Sequence, residues 1–242
     1  VQDERFEVVA ISDIGSPGIL HNLLTKTDHD LDVKLDNNYL VSERGRTRLM
    51  SVDRPTETPW VVFDVDVVIE ATGRFRSLAD LTPHIENGAP RVVLSALPEE
   101  EIDRVILYGV NEADAQSCDQ IISAGSASTS ATALVLKIIT DAFPVEQATM
   151  TSVHAYTSDQ SLQDYAGPDY RRSRSGAENI IPNATPALLW VQQVLPELDG
   201  KLSAYALNVP VQVGSMLDLT IAFSESDIDV NSFNQLFISA EK

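Results

Sequence analysis

Cysteine is almost absent from this chain: Cys118 is the only one. A single thiol excludes an internal disulfide and any cysteine-rich metal centre. Basic residues are also scarce, with 17 Lys and Arg against 36 Asp and Glu, a formal charge of −19. Such a field opposes nucleic acid and anionic membrane surfaces, and any phosphate ligand needs a local basic patch. No apolar run approaches the roughly 20 residues of a membrane span. The opening residues show no basic stretch followed by an apolar one, so no secretory leader is expected from them. The four histidines show no metal-ligand spacing, so no metal site is expected. A glycine-rich phosphate loop, a nucleophile elbow and a G-x-G-x-x-G turn are all missing from the 242 residues.

What is present is enough apolar material, 43% of residues, for a sizeable core in one large or two modest domains. Phe6-Glu7-Val8-Val9-Ala10-Ile11-Ser12-Asp13 reads as a parallel strand with a carboxylate at its tip. In dinucleotide folds such an acid bonds the ribose hydroxyls. Asn37 to Val41 and Thr47 to Val52 read as a hairpin turned by Glu43-Arg44-Gly45-Arg46. Asp64 to Gly73 reads as a strand running into a glycine turn. Ser77 can cap a helix from Leu78 to before Gly88, which Pro83 should bend or shorten. Arg91 to Ala96 and Val105 to Asn111 read as further strands. Strands alternating with helices predict a doubly wound parallel sheet.

At Ile121-Ile122-Ser123-Ala124-Gly125-Ser126-Ala127-Ser128-Thr129-Ser130 a short strand meets small and hydroxyl residues, and a helix at about 130–143 follows. A junction of this kind points free N–H groups and hydroxyls at one spot, which suits an anion or a developing oxyanion. Beyond it, Gln147 to Tyr156, Lys201 to Val211 and Met216 to Phe223 read as strands of a sheet packed on helices. Thr185 caps a helix to Leu195 with Pro186 at its first position, and Val230 to Ala240 begins another. Arg171, Arg172 and Arg174 form the densest basic cluster in the chain.

Several of these segments together resemble the glyceraldehyde-3-phosphate dehydrogenase family. Phe6 to Asp13 is similar to its V-V-A-I-N-D, and Asp64 to Gly73 to its D-x-V-x-E-S-T-G. The 121–130 junction is similar to its I-S-N-A-S-C-T-T-N-C, and Asp169 to Pro182 to its D-x-R-R-x-R-A-A-x-x-N-I-I-P. The resemblance implies an α/β fold: an incomplete doubly wound, Rossmann-like parallel sheet over residues 1–125, then an α+β domain with a mainly antiparallel sheet over 126–242. Relative to the family, both ends are expected to be missing. It implies NAD or NADP as cofactor, with Asp13, Arg54, Thr72, Gly73 and Ser95 on the cofactor side. With no glycine-rich turn before Asp13, dinucleotide binding is expected to be weak or absent.

The resemblance also places the chemistry. His154 matches the family's catalytic histidine, Thr157 a residue of the substrate-phosphate site, and Ser126, Ser128 and Thr185 a second anion site. Two positions depart from the pattern. Ala127 stands where the family has its nucleophilic cysteine, and Asn208 where it has an arginine that attracts phosphate. The expectation is therefore a family member without dehydrogenase activity, serving as a binding, regulatory or structural subunit. The alternative is an active NAD(P)-dependent aldehyde-phosphate oxidoreductase with an altered or engineered site. The arginine loop and the sheet predict a homo-oligomer, dimer or tetramer, or a place in a larger protein assembly. The implied location is the cytoplasm, or the plastid stroma for a photosynthetic eukaryote.

Overall fold

The computed structural model describes residues 4–27, 31–158, 160–224 and 228–241. The chain divides into two compact units. The first holds residues 1–94, 98–103 and 118–122, the second 95–97, 104–117 and 123–242.

In the first unit, strand β1 (Ala10–Ser12) pairs in parallel with β4 (Gly45–Met50), and β4 continues through β3 (Tyr39–Ser42) to β2 (Lys34–Asp36) in antiparallel steps. The expected hairpin is present but shifted. Asn37 has a φ of 53° and its amide donates to Asp36 Oδ1 at 3.1 Å, so Asn37-Asn38 turns the chain instead of extending it. The Glu43–Arg46 turn tightens to Glu43-Arg44, because Ser42 already pairs with Gly45. Between β1 and β2 lies helix α1 (Pro17–Thr27), for which the sequence reading had assigned no element. His21 ties it to the hairpin through Nε2 and Val33 O, 3.0 Å apart.

Strand β5 is only Val68–Glu70, shorter than the Asp64–Gly73 expected. Trp60–Phe63 forms a 3-10 turn and Asp64 takes a left-handed φ of 48°, so the strand cannot begin earlier. Helix α2 (Leu78–Glu86) starts at the Ser77 cap, whose Oγ accepts the Asp80 N–H at 3.3 Å. It runs on past Pro83, whose carbonyl accepts the Asn87 N–H. Strand β6 (Val92–Leu94) lies parallel to β5, giving the β–α–β crossover that alternation predicted. Trp60, Val68 and Ala89 form one buried cluster, with Ala10, Met50, Phe63 and Val65 against it.

The second unit contains short strand β7 (Arg104–Val105), the end of β8 (Ile121–Ser123), helix α3 (Ala127–Thr140), β9 (Val145–Ala155), β10 (Ile181–Asn183), α4 (Ala187–Val194), β11 (Leu202–Val209), β12 (Ser215–Phe223) and α5 (Val230–Ala240). Its sheet runs β10-β11-β9-β12. Two of its three pairings are antiparallel, and β11 beside β9 is parallel. On one face Ala148, Met150, Ser152, Ala206 and Asn208 are buried. Helices α3 and α4 supply Ala133, Leu136, Ile139 and Val191 to the core against this face. On the other face Tyr205 and Met216 stay exposed.

Candidate functional site

Helix α3 begins three residues earlier than its apolar run suggested. Ser126 is its cap: extended backbone, with Oγ accepting the Thr129 N–H at 3.2 Å. The same oxygen lies 2.7 Å from Thr129 Oγ1 and 3.3 Å from Ser128 Oγ. Small hydroxyl residues favour this geometry, since their side chains satisfy N–H groups that the first turn leaves open. Gly125 takes a φ of 73° just before the cap. A Cβ there would lie 2.5 Å from Leu107 Cδ2 and force that side chain to shift, and the positive φ itself favours glycine. Ser123 Oγ, fully buried, donates to Ala96 O and accepts the Gly125 N–H.

Ala127 is therefore the first residue of α3, exposed, with a methyl group as its whole side chain. No thiol stands at this junction; Cys118 precedes β8 in the chain and is exposed. A helix N-terminus with hydroxyls around it offers hydrogen-bond donors and a positive dipole end.

His154 is near the end of β9, half-buried, on the same face as Met150 and Ser152. Helix α3 packs on that face, where Thr132 Oγ1 donates to Met150 Sδ at 2.9 Å. The imidazole is held at both nitrogens. Nε2 bonds the buried Ser152 Oγ, and Nδ1 lies 3.0 Å from Ser215 Oγ of β12. Asn208 of β11 is its register partner on the other side. This amide is buried, donating to Ala155 O and accepting from Asn183 Nδ2, both at 3.3 Å. Its polar atoms are thus engaged with neighbouring strands, and no positive charge stands at this position.

Thr157 is exposed just beyond β9, its N–H donating to Gln160 Oε1 at 3.3 Å. Thr185 Oγ1 accepts the Ala187 N–H at 3.2 Å, and Pro186 occupies the cap position of α4. The helix thus starts one residue later than expected, and Thr185 still supplies the acceptor for its first turn.

The arginine loop is fixed from within. Asp169 Oδ1 accepts the Arg171 and Arg172 N–H groups at 2.9 and 2.8 Å. Arg174 Nε reaches both oxygens of Asp164 at 3.1 Å, and Asp164 Oδ1 also takes the Ser175 N–H at 2.7 Å. The Ser175 N–H and the Arg174 guanidinium hold Asp164 below the ordinary carboxylate range. The Arg172 and Arg171 N–H groups do the same for Asp169. Arg174 thus has a carboxylate partner within its own chain, Asp164.

In the first unit, Asp13 is exposed at the tip of β1 and its Oδ1 takes the Gly15 N–H at 2.7 Å. Arg54 is exposed at the start of a 3-10 turn at Pro55–Glu57. Thr72 and Gly73 follow β5; Gly73 has a φ of 70° and open space where a Cβ would be. An acid at a strand tip and an open glycine turn both suit a nucleoside ribose. Ser95 belongs to the second unit and is exposed. The sequence reading missed a buried group here, Trp60, His84 and Glu70. Its only sequence clue was ionisable residues inside apolar segments.

Among the described residues no group of three or more His, Cys, Asp or Glu could hold a metal ion. No helix among them is long and apolar enough to cross a membrane.

Comparison with known proteins bears on both units. The model for the glyceraldehyde 3-phosphate dehydrogenase NAD binding domain matches residues 1–78, and that for its C-terminal domain matches residues 126–242. The glyceraldehyde-3-phosphate dehydrogenase of Mycobacterium leprae is 38% identical over 240 residues, covering 97% of this chain and 70% of the relative. That of Mycobacterium tuberculosis H37Rv is 39% identical over 241 residues, with the same coverage. Glyceraldehyde-3-phosphate dehydrogenase 1 of Bacillus subtilis is 41% identical over 232 residues, covering 93% and 68%.

Proposed function

Since the chain belongs to the glyceraldehyde-3-phosphate dehydrogenase family, we propose that it keeps the family's scaffold without its covalent chemistry and works as a binding, regulatory or structural subunit. The observation that carries this reading is Ala127 at the first position of α3. Oxidising an aldehyde through a covalent adduct needs a nucleophile at the carbonyl carbon. The adduct then loses hydride to the cofactor, and phosphate attacks the resulting thioester. A methyl group forms no adduct. The adjacent hydroxyls are poor substitutes. Ser126 Oγ is engaged as a helix cap and hydrogen-bonded to Thr129, and a serine hydroxyl is far less ionised than a thiol near neutral pH.

Asn208 supports the same reading. An arginine would bring a charged, bidentate fork to a phosphate. The amide here is turned to Ala155 and Asn183 instead. His154 keeps its place and two hydroxyl partners but has no thiol to activate. We read Thr157 as a remnant of the substrate-phosphate site, and Ser126, Ser128 and Thr185 as a remnant of the second anion site. A hydroxyl oxygen that accepts a backbone N–H still has its own proton to donate.

The cofactor of the first matched region is NAD by family, and NADP is the variant reading. A bound dinucleotide would supply the hydride acceptor. Asp13 would take ribose hydroxyls, and Thr72 and Gly73 would let it approach closely. From Asp13, Thr72 and Gly73 alone we propose weak binding. Self-association belongs to the same proposal. One sheet face is covered by α3 and α4, while the other leaves Tyr205 and Met216 exposed, and a second copy of that face would cover them.

The test is reduction of NAD or NADP with triose phosphate and inorganic phosphate. The expected result is no turnover. A rate within roughly tenfold of a typical enzyme's ~10 per second would overturn the reading. Ala127→Cys alone should recover little, because Asn208 still leaves the phosphate without its charge.

A further inference from the structure

A buried polar chain crosses the first unit and ends at the Thr72–Gly73 turn. Trp60 Nε1–H donates to His84 Nδ1 at 2.9 Å. His84 Nε2 lies 3.2 Å from Glu70 Oε2. Glu70 Oε1 accepts both the Thr72 N–H, at 2.8 Å, and the Thr72 hydroxyl. Thr72 Oγ1 in turn accepts the Arg74 N–H at 3.2 Å. His84 and Glu70 are each only 4% exposed.

The chain of donors permits one arrangement. An indole N–H can only donate, so His84 Nδ1 must accept and cannot carry a proton. The ring's hydrogen is then on Nε2, aimed at Glu70. Glu70 receives three donors, which is what a carboxylate needs to stay charged in a buried place. Burial pushes its carboxyl up, but the His84 and Thr72 hydrogen bonds outweigh it and leave it below its ordinary value. The two Thr72 donors fix the backbone leaving β5, and the next residue, Gly73, takes its left-handed φ of 70° in open space.

We propose that Glu70 is a positioning residue: its carboxylate, aimed by Trp60 and His84, holds the Thr72–Arg74 turn in the form that leaves Gly73 open to a bound molecule. Glu70 touches no ligand itself. It acts through Thr72, and this role stands whether or not the second unit has lost its chemistry. A merely structural pair would stabilise the whole unit evenly. A positioning residue protects one turn.

Amide hydrogen exchange on the full 242-residue chain separates the two. Glu70→Gln keeps the volume but brings an amide donor against the His84 donor or the Thr72 donors. The expected result is exchange at Thr72 and Arg74 faster by about tenfold or more, with the buried Leu40 and Leu49 unchanged. His84→Asn, which keeps an acceptor for Trp60 and loses the donor to Glu70, should do the same. His84→Gln, which returns an amide donor near the Nε2 position, should restore most of the protection. Thr72→Val changes one exposed side chain and covers the case in which Glu70→Gln does not fold. It should speed exchange of the Arg74 amide. Unchanged Thr72 and Arg74 exchange in folded Glu70→Gln, or an equal change at Leu40 and Leu49, overturns the proposal. So do an unchanged Arg74 amide in Thr72→Val and His84→Gln behaving like His84→Asn.

Discussion

Replacing Ser126 with alanine tests the junction at its smallest part. The Ser126 hydroxyl does two things: it accepts the Thr129 N–H at 3.2 Å and pairs with Thr129 Oγ1 at 2.7 Å. Losing a serine cap costs about 0.5–2 kcal/mol. Thr129 is fully buried, so its hydroxyl would also be left without this partner, at about 1–3 kcal/mol. Both losses share one oxygen and do not simply add, so about 2–3 kcal/mol is expected. Urea unfolding reads it as a lower midpoint with unchanged slope. Ser126→Asp should recover most of the loss, since aspartate accepts the same bonds and favours the helix N-terminus. A loss below about 0.5 kcal/mol, within the range of ordinary surface changes, would show that the oxygen does not hold the first turn. Ala127 would then lose its fixed place at the head of the helix.

Asp229 caps α5 by accepting from Ser232 Oγ, Ser232 N–H and Asn231 N–H; Asp229→Ala should fray that helix, lowering its amide protection while α3 keeps its own. Leu136 is fully buried in the second unit's core, so Leu136→Ala should cost about 2–5 kcal/mol in urea unfolding, and a cost under about 1 would mean that the core there is not closely packed. The pH dependence of Glu70 has a definite sign. Its folded carboxyl lies below the ordinary 4.5, so its contribution is present above that value and lost as pH falls through the depressed one. The stability gap between the native chain and Glu70→Gln should therefore narrow on acidification below about 4.5; a gap that widens would contradict the assigned charge state. Light scattering at micromolar concentration should show a dimer or larger species, and Tyr205→Glu with Met216→Glu should shift it to monomer. A clean monomer in the unaltered chain would make a different protein partner the better occupant of that face.

The layout of both units was legible where side chains alternate or recur on one face. The β5–α2–β6 crossover, the Ser77 cap and strands β9, β11 and β12 all follow from such patterns. Boundaries failed where a single backbone angle decided them. Asn37 and Asp64 adopt left-handed φ values of 53° and 48°; Asn37 turns the chain after β2, and Asp64 follows a 3-10 turn and delays the start of β5. Helix α3 was placed too late for a related reason. Ser126 to Ser130 is a poor helix stretch by propensity, yet serine and threonine are favoured in a first turn once a cap is present. The Trp60–His84–Glu70 group was not legible, because residues 60, 84 and 70 show no local pattern. Only the fold brings them together.

The two departures from the family pattern also look different once placed in the fold. Ala127 sits on an exposed helix start, where alanine favours helix. Asn208 is buried in its strand, with its amide spanning Ala155 O and Asn183 Nδ2. Placing Arg at 208 would have to displace an amide already bonded on both sides. Reversion should therefore be asymmetric. Ala127→Cys should fold like the native chain and expose a titratable thiol, readable with a disulfide reagent. Asn208→Arg should lose stability by about 1–3 kcal/mol, the range for forcing a larger group into a packed site. An Asn208→Arg chain as stable as the native one would show that the pocket for the arginine persists.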